Sequence, residues 1–279
     1  MNFFQAIILG IVQGLTEFLP VSSSAHVQIA SELMQVKGLS DKNSATTAFI
    51  ATIQLGTEAA VLIYFAKDIF RLVKAWFRGV FNSRARSNAD YKMAWLVIMA
   101  SIPVGLVGYL LRNFIQETVR TLWVVAFMMI LFGIILLLAD RYGSRQKEIK
   151  DLNFNSALGF GLGQALAVFP GVSRSGASIS FGLFAGFNRA AAARFSFLIG
   201  IPAVLASGLI EFKDSYQYLD SGALAGTLVA TVTSFVVGYA VIAGLLKYLN
   251  KGSFMPFVIW RLVVGVVLLV MLTNGWITA

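Results

Sequence analysis

The residues best suited to chemistry lie in two short polar stretches of an otherwise apolar chain. The first is Gln13-Gly-Leu-Thr-Glu-Phe-Leu-Pro-Val-Ser-Ser-Ser-Ala-His26, with one carboxylate, three consecutive serines and the single histidine of the protein. The second is Gln164-Ala-Leu-Ala-Val-Phe-Pro-Gly-Val-Ser-Arg-Ser-Gly-Ala177. Aligned without a gap, they share Gln, Leu, Phe, Val and two Ser, and Arg174 stands where the first has Ser23. This near-repeat indicates that the chain contains two related polar segments.

The second stretch is suited to binding an anion. Gly171 and Gly176 leave backbone N–H groups accessible, and two serines flank Arg174. A loop that opens a helix favours negative charge, and arginine adds a bidentate fork for phosphate. A simple helix break is the competing interpretation of the same residues.

The first stretch supplies acid–base groups and hydroxyls. Glu17 and His26 could move protons or hold a cation, while Ser22, Ser23 and Ser24 could be nucleophiles or donors. Together with an arginine, such groups are typical of phosphoryl transfer. A lone histidine near a helix end can also be a satisfied polar residue. Arg261, inside a later apolar segment, is expected to snorkel or pair rather than react.

Composition identifies an all-α polytopic membrane protein. The chain is 58% hydrophobic and 13% charged, with a mean hydropathy of +0.78, which excludes an ordinary soluble globular protein. The net charge of +9 is collected in short loops between apolar segments, which argues against nucleic acid as a partner. The absence of cysteine excludes disulfides, thiol catalysis and cysteine-ligated metals.

The apolar segments predict six transmembrane helices and two re-entrant helix-loop-helix segments. The apolar residues 3–18 are stopped by Pro20 and the serines after it, and residues 155–187 are interrupted by Gly, Pro and Ser, which predicts broken helices buried in protein or lining a wet cavity. The spans are expected at about 45–66, 93–111, 121–139, 193–211, 222–246 and 255–274. An odd number of spans per half inverts the second half, so 1–279 is one membrane domain with halves of approximately 1–140 and 155–279.

Charge asymmetry orients this arrangement. Residues 67–92, expected to form a loop, carry seven Lys/Arg, and the segments 140–154, 188–194 and 247–253 bring that side to fifteen. The opposite side has five, namely Lys37, Lys42, Arg112, Arg120 and Lys213. The positive-inside rule then makes the fifteen-charge side cytoplasmic. The first re-entrant segment enters from outside, the second from the cytoplasm, and the two polar loops should meet.

At these motifs the chain resembles the undecaprenyl-diphosphate phosphatase family, also called the bacitracin-resistance phosphatase. The family's (E/Q)xxxE, PVSS…His and PGxSRSxxT motifs correspond to Gln13-Gly-Leu-Thr-Glu17, Pro20-Val-Ser-Ser-Ser-Ala-His26 and Pro170-Gly-Val-Ser-Arg-Ser-Gly-Ala-Ser178. Shorter similarities at residues 53–56, 195–197 and 256–261 extend the match over nearly the whole chain. Gln13 is the less acidic choice at its position, and Ser178 replaces a threonine while keeping the hydroxyl.

The resemblance implies a hydrolase of the bacterial cytoplasmic (inner) membrane. It would convert undecaprenyl diphosphate to undecaprenyl phosphate and phosphate, recycling the lipid carrier for peptidoglycan and conferring bacitracin resistance. The implied site faces the periplasmic side and uses Mg²⁺ or Ca²⁺, with Glu17 as the candidate metal ligand. Membrane lipids surround the protein, and a homodimer is an open alternative. The implied catalytic residues are Glu17, Ser23, His26 and Arg174, and the substrate-binding ones are Gln13, Gly171, Ser173, Arg174, Ser175 and Ser178.

Two questions stay open at this stage. The nucleophile is either Ser23, activated by His26, or a water held by the same groups. The inverted repeat is also compatible with a lipid-phosphate flippase or transporter, although such a protein has no need of the Ser-His-Glu-Arg cluster. The type-2 phosphatidic acid phosphatases are excluded, because they require two histidines and this chain has one.

Overall fold

The computed structural model is a bundle of α-helices. It describes residues 2–36, 45–111, 114, 115, 119, 121–215 and 224–277, and their only bridge of strand type joins Lys147 and Phe187. The helices are α1 (Phe3–Thr16), α2 (Ser23–Leu33), α3 (Ala45–Tyr64), α4 (Ala66–Phe81), α5 (Ala89–Leu110), α6 (Leu122–Tyr142), α7 (Phe154–Ala165), α8 (Arg174–Phe184), α9 (Arg189–Ser215), α10 (Leu224–Tyr248) and α11 (Met255–Thr273).

The predicted membrane character is confirmed at the level of helices. Five of the described helices, α5, α6, α9, α10 and α11, are long and apolar enough to cross a bilayer. A sixth span results if α3 and α4, which meet at a bend of 70°, are counted as one. Of the positive charges predicted for the less basic side, Lys37, Lys42, Arg112 and Arg120 lie outside the described residues.

The loop predicted over residues 67–92 is wrong. Most of it is helical: α4 reaches Phe81, a short 3-10 turn covers Ser83–Ser87, and α5 begins at Ala89. The physical reason is amphipathicity, because apolar residues recur along α4 at helical spacing between the basic ones. Charge density alone suggested a loop, whereas the periodicity indicated a helix.

The two broken segments pack in matching ways. Helix α1 lies against α10, and α7 lies against α5. A Cβ atom added to Gly10 would overlap the Ala230 carbonyl oxygen, and one added to Gly161 would overlap the Ala100 oxygen. Gly10 and Gly161 occupy equivalent positions of the near-repeat. Each broken segment therefore rests its first helix on a partner helix at backbone contact, which only glycine permits.

The basic segments gather at one end of the bundle. Asp140 at the end of α6 binds Arg189 at the start of α9 with 2.6 Å between Oδ1 and Nε, and it accepts the Phe254 backbone N–H at 3.1 Å. Asp68 on α4 pairs with Arg194 on α9. These contacts place the α3–α4 junction, the end of α6, the start of α9 and the α10–α11 turn together.

Candidate active site

Two tight linkers interrupt the broken helices where the polar motifs lie. We call residues 17–22 the first tip and residues 166–173 the second tip. Each ends on a serine in the left-handed region, Ser22 with φ 76° and Ser173 with φ 69°, directly before α2 or α8. In both, the hydroxyl of that serine lies 3.3 Å from the hydroxyl two residues later, Ser24 or Ser175. The near-repeat of the sequence is thus a near-repeat of backbone shape.

The tips meet, as predicted, and Arg261 joins them. Its guanidinium donates to the Pro20 oxygen of the first tip at 3.2 Å and to the Gly171 oxygen of the second at 2.9 Å. It also reaches the Met128 and Met129 oxygens of α6 at 3.2 and 3.1 Å. Its side chain is fully buried, so of the two predicted alternatives snorkelling is wrong, and Arg261 instead pairs with backbone carbonyls. The four carbonyls replace water as its acceptors, which lets the charge remain inside.

The first tip and the start of α8 form a compact charged cluster. Arg174 Nη2 donates to Glu17 Oε1 at 2.8 Å, although 157 residues separate them in the chain. The Ser23 hydroxyl donates to the other oxygen, Oε2, at 2.6 Å, and Gln13 Nε2 reaches the same oxygen at 2.9 Å. The side chains of Arg174 and Glu17 are 23% and 11% exposed. The cluster is therefore largely shielded, while part of the Arg174 side chain stays accessible.

His26 is held by two partners outside this cluster. Its Nδ1 lies 2.7 Å from the Ser22 carbonyl oxygen, which can only accept, so Nδ1 carries the proton. The indole N–H of Trp260 donates to Nε2 at 2.7 Å, and the rings stack with centroids 6.0 Å apart. The structure therefore lacks the Ser23–His26 contact on which one of the two nucleophile alternatives depends. Glu17 lies against the Ser23 hydroxyl, and the imidazole lies against Trp260.

The predicted binding residues Gly171, Ser173 and Ser175 make structural contacts around the second tip. The Ser173 hydroxyl caps α8 by accepting the Gly176 N–H at 3.2 Å, and Ser175 donates to the Leu19 oxygen of the first tip at 3.2 Å. Gly171 has φ +89° and gives its carbonyl to Arg261, as described above.

Ser178 is the predicted residue that the structure directs elsewhere. It is fully buried, and its hydroxyl bonds to the Arg174 oxygen at 2.8 Å and to the Ser196 hydroxyl at 2.5 Å. In this arrangement Ser178 supports the turn that carries Arg174, and its hydroxyl does not face the cluster. An intrahelical bond of this kind is the common alternative for a hydroxyl inside a helix.

Sequence reasoning missed Trp260 and did not identify Arg261 as the residue that joins the tips. Both lie in the Pro256–Arg261 stretch at the start of α11, where one residue faces His26 and the next enters the core. The sequence signal that could have revealed them is an arginine directly after a tryptophan within an apolar span. Their partners lie on α2, α6 and both tips, so no local pattern could name them.

Carboxylates are too few in this region for a cation cage made by the protein alone. Among the described residues, no three His, Cys, Asp or Glu side chains come together as a metal site would require. Glu17 is the carboxylate of the cluster, and its two oxygens face Arg174, Ser23 and Gln13. A divalent ion would thus depend on oxygens brought by a ligand.

Comparisons with known proteins agree over the full chain. The sequence model of the bacitracin resistance protein BacA family matches residues 6–267. A protein of Clavibacter michiganensis named undecaprenyl-diphosphatase is 46% identical over 279 residues, covering 100% of both chains. One of Mycolicibacterium smegmatis with the same name is 47% identical over 282 positions, again covering 100% of both. Undecaprenyl-diphosphatase 2 of Streptomyces avermitilis is 47% identical over 289 positions, covering 99% of this chain and 96% of its own.

Proposed function

The chain belongs to the bacitracin resistance protein family, and we propose that it hydrolyses undecaprenyl diphosphate to undecaprenyl phosphate and inorganic phosphate. The observation that carries this proposal is the Glu17 carboxylate, which contacts the Ser23 hydroxyl on one oxygen and Arg174 on the other. A hydroxyl, a base and a cation in mutual contact are the parts that phosphoryl transfer needs. The product would return the lipid carrier to peptidoglycan synthesis, and its turnover would oppose bacitracin.

Substrate binding is assigned to the beginning of α8. Arg174 uses one N–H on Glu17, and its guanidinium has no other hydrogen-bond partner within the described part of the chain, so the remaining N–H groups could form a fork to phosphate oxygens. The α8 N-terminus adds backbone N–H groups and a favourable dipole. Gln13 would act through Glu17, since its amide donates to the carboxylate. The polyprenyl chain would lie among lipid-facing helix surfaces, because both tips are held inside an apolar bundle.

The reaction is proposed to begin at Ser23. Glu17 accepts the Ser23 proton while Oγ forms a bond to the terminal phosphorus. The bond from that phosphorus to the bridging oxygen breaks, and undecaprenyl phosphate leaves with the electron pair. Arg174 stabilises the charge on the transferred group. Water then cleaves the phosphoserine, releasing phosphate and returning the proton to Ser23. In the alternative, Glu17 activates water directly and no phosphoserine forms.

His26 is proposed to act as a proton acceptor at the entrance to the site. Its imidazole is fixed as the Nδ1–H tautomer, with Nε2 directed to Trp260. If the indole moved away, Nε2 of His26 would become accessible. This nitrogen could then take a proton from the attacking water or a phosphate oxygen. Trp260 therefore acts as a positioning residue in this scheme.

A divalent cation, Mg²⁺ or Ca²⁺, is proposed to enter with the diphosphate. Glu17 would be its carboxylate ligand, and the substrate's phosphates and water would complete the shell, as is common for Mg²⁺ bound with phosphorylated substrates. Such an ion would supply charge neutralisation on the phosphates. The described residues fit this arrangement better than a dedicated protein cage.

We further propose six spans and two re-entrant segments related by an inverted repeat, with halves of approximately 1–140 and 155–279. The matched packing of α1 on α10 and α7 on α5 supports the repeat. The clustering of the basic segments at one end supports a cytoplasmic location for that end, with the site open to the outer face of the inner membrane. A homodimer stays a prediction.

The test is phosphate release from a C55 diphosphate by the purified protein in detergent, with and without Mg²⁺ or Ca²⁺. Glu17→Gln keeps the shape and removes the base, and we expect a loss of about 10²–10³-fold. A substrate with a ³²P-labelled terminal phosphate distinguishes the two nucleophiles, because only the serine route labels the protein. By that route wild type becomes labelled and Ser23→Ala does not. No release by folded wild type under any metal would refute the phosphatase and favour the flippase.

A further inference from the structure

Helix α4 presents an exposed apolar stripe on the outside of the bundle. Its members are large, they recur at helical spacing and they are 37–84% exposed: Phe70, Val73, Phe77, Val80 and Phe81. They occupy about 100° of the helix circumference at 3.6 residues per turn. The opposite side, with Leu72 and Gly79, packs on α5, where a Cβ added to Gly79 would overlap the Tyr91 ring. The stripe is therefore distinct from the packed face.

A second stripe, of basic residues, borders the first. It consists of Lys67, Arg71, Lys74 and Arg78, all exposed. Arg71 is paired with Asp68 and Asp90. The other three have no carboxylate within ion-pair distance among the described residues, and the Lys74 ammonium lies 5.7 Å from the Phe70 ring centroid. Three uncompensated positive charges thus run along the edge of the apolar surface.

The orientation of α4 matches these two stripes. It turns by 70° from α3, which packs against the spans α9 and α10, so α4 points away from the direction of that packed helix. A helix in the plane of a membrane surface needs an apolar stripe toward the acyl chains and basic side chains toward the phosphates. A shallow groove lined by Phe77, Arg78, Phe81, Asn82 and Ala85 combines both kinds of group at the end of the helix.

We propose that α4 is an interfacial helix that binds anionic phospholipids, with acyl chains on the Phe70–Phe81 stripe and headgroup phosphates on Lys67, Lys74 and Arg78. Charge complementarity selects this occupant, because a purely apolar partner would leave the basic stripe unpaired and zwitterionic lipid would gain less from it. This inference is independent of the proposed phosphatase activity.

The absence of cysteine makes the test direct. Phe77→Cys carries a bimane label, and the full-length protein is placed in vesicles whose phosphatidylglycerol or phosphatidylcholine has brominated acyl chains. We expect strong quenching by both lipids at high content. At low content, brominated phosphatidylglycerol should quench several-fold more effectively in an otherwise zwitterionic bilayer. Ser87→Cys, on the 3-10 turn, is the matched exposed position and should be quenched little.

Charge removal then isolates the basic stripe. In the Phe77→Cys background, Lys67→Gln, Lys74→Gln and Arg78→Gln together should bring the preference for phosphatidylglycerol close to one. Arg145→Gln, Lys150→Gln and Lys251→Gln remove the same charge from exposed positions outside α4 and should leave the preference intact. Melting temperatures verify that each variant is folded.

Two results would overturn the proposal. An unquenched label in the Phe77→Cys protein would mean that another protein surface covers the apolar stripe. An equal preference for phosphatidylglycerol in the parent, the α4 charge variant and the control variant would mean that the basic stripe selects no lipid.

Discussion

The two broken segments share a backbone design and differ in what they carry. Both place a first helix on a partner through a glycine, Gly10 or Gly161, and both end their tip on a left-handed serine. The first tip carries Glu17, where the equivalent position of the second is Val168. The second broken segment contributes Arg174 to a cluster whose other members, Gln13, Glu17 and Ser23, belong to the first broken segment.

The difference indicates that the two segments supply different side chains to one site. A glutamate and an arginine on the same tip would pair locally and need no second segment. Placed on opposite segments, they form an ion pair only when the two segments meet. The matched backbone thus supplies the geometry, and the unmatched side chains supply the chemistry.

The largest effect is expected from removing the contribution of the second segment. Arg174→Gln should lower phosphate release by about 10³-fold or more, because it removes the charge that stabilises the transferred phosphoryl group. Steady-state kinetics on a C55 diphosphate measure this effect. Arg145→Gln, an exposed arginine of the basic end, is the control and should act like wild type. A loss below tenfold in Arg174→Gln would remove that arginine from the proposed mechanism.

The joint between the tips can be broken without touching the charged cluster. Arg261→Met leaves the Pro20 and Gly171 carbonyls without their donor, which should cost about 2–4 kcal/mol of folding free energy. We expect a clearly lower melting temperature in detergent together with lost activity. Arg261→Lys keeps a charge and some donors, so its melting temperature and activity should lie between those of wild type and Arg261→Met. An unchanged melting temperature in Arg261→Met would show that the tips meet without this residue.

The paired glutamines allow the comparison to be sharpened at equivalent positions. Gln13 donates to the Glu17 carboxylate, whereas Gln164 donates to the Ile199 oxygen at 3.3 Å. Gln13→Ala should therefore lower kcat by about tenfold, in line with the loss of one hydrogen bond to a charged group. Gln164→Ala should change kcat less than about twofold, because its partner carbonyl lies outside the cluster. Equal kinetic effects would mean that the two segments are functionally equivalent at this position.

The smallest effect is expected at the mouth of the site. Trp260→Phe keeps an aromatic ring and removes one hydrogen bond to His26, so kcat/KM should fall only about two- to tenfold. The ¹⁵N spectrum of histidine-labelled protein contains a single imidazole, because the chain has one histidine. In both wild type and Trp260→Phe it should show the Nδ1–H tautomer, because the Ser22 carbonyl remains the acceptor, and the Nε2 resonance should shift in Trp260→Phe because the indole donor is lost. An unchanged Nε2 resonance would show that the indole does not donate to His26.

Several features of this architecture were accessible from sequence because they depend on local rules. Apolar runs of membrane length predict spans, and Gly, Pro and Ser within apolar sequence predict the breaks now located after α1 and α7. Helix α4 was the exception. Seven Lys/Arg in residues 67–92 suggested a loop, although Phe70, Val73 and Phe77 follow the spacing of a helix.

The sequence by itself determined the class of protein, the positions of the tips and the residue types of the cluster. The near-repeat even predicted that the tips meet, because an inverted half must approach from the opposite side. Only the tertiary structure decided which groups touch. Glu17 rather than His26 contacts Ser23, Trp260 holds His26, and Arg261 joins the tips. The partners in these contacts are 6, 234 and 241 residues apart. Hydrogen bonds depend on distance and direction, which the packing of all the helices sets and no local pattern encodes.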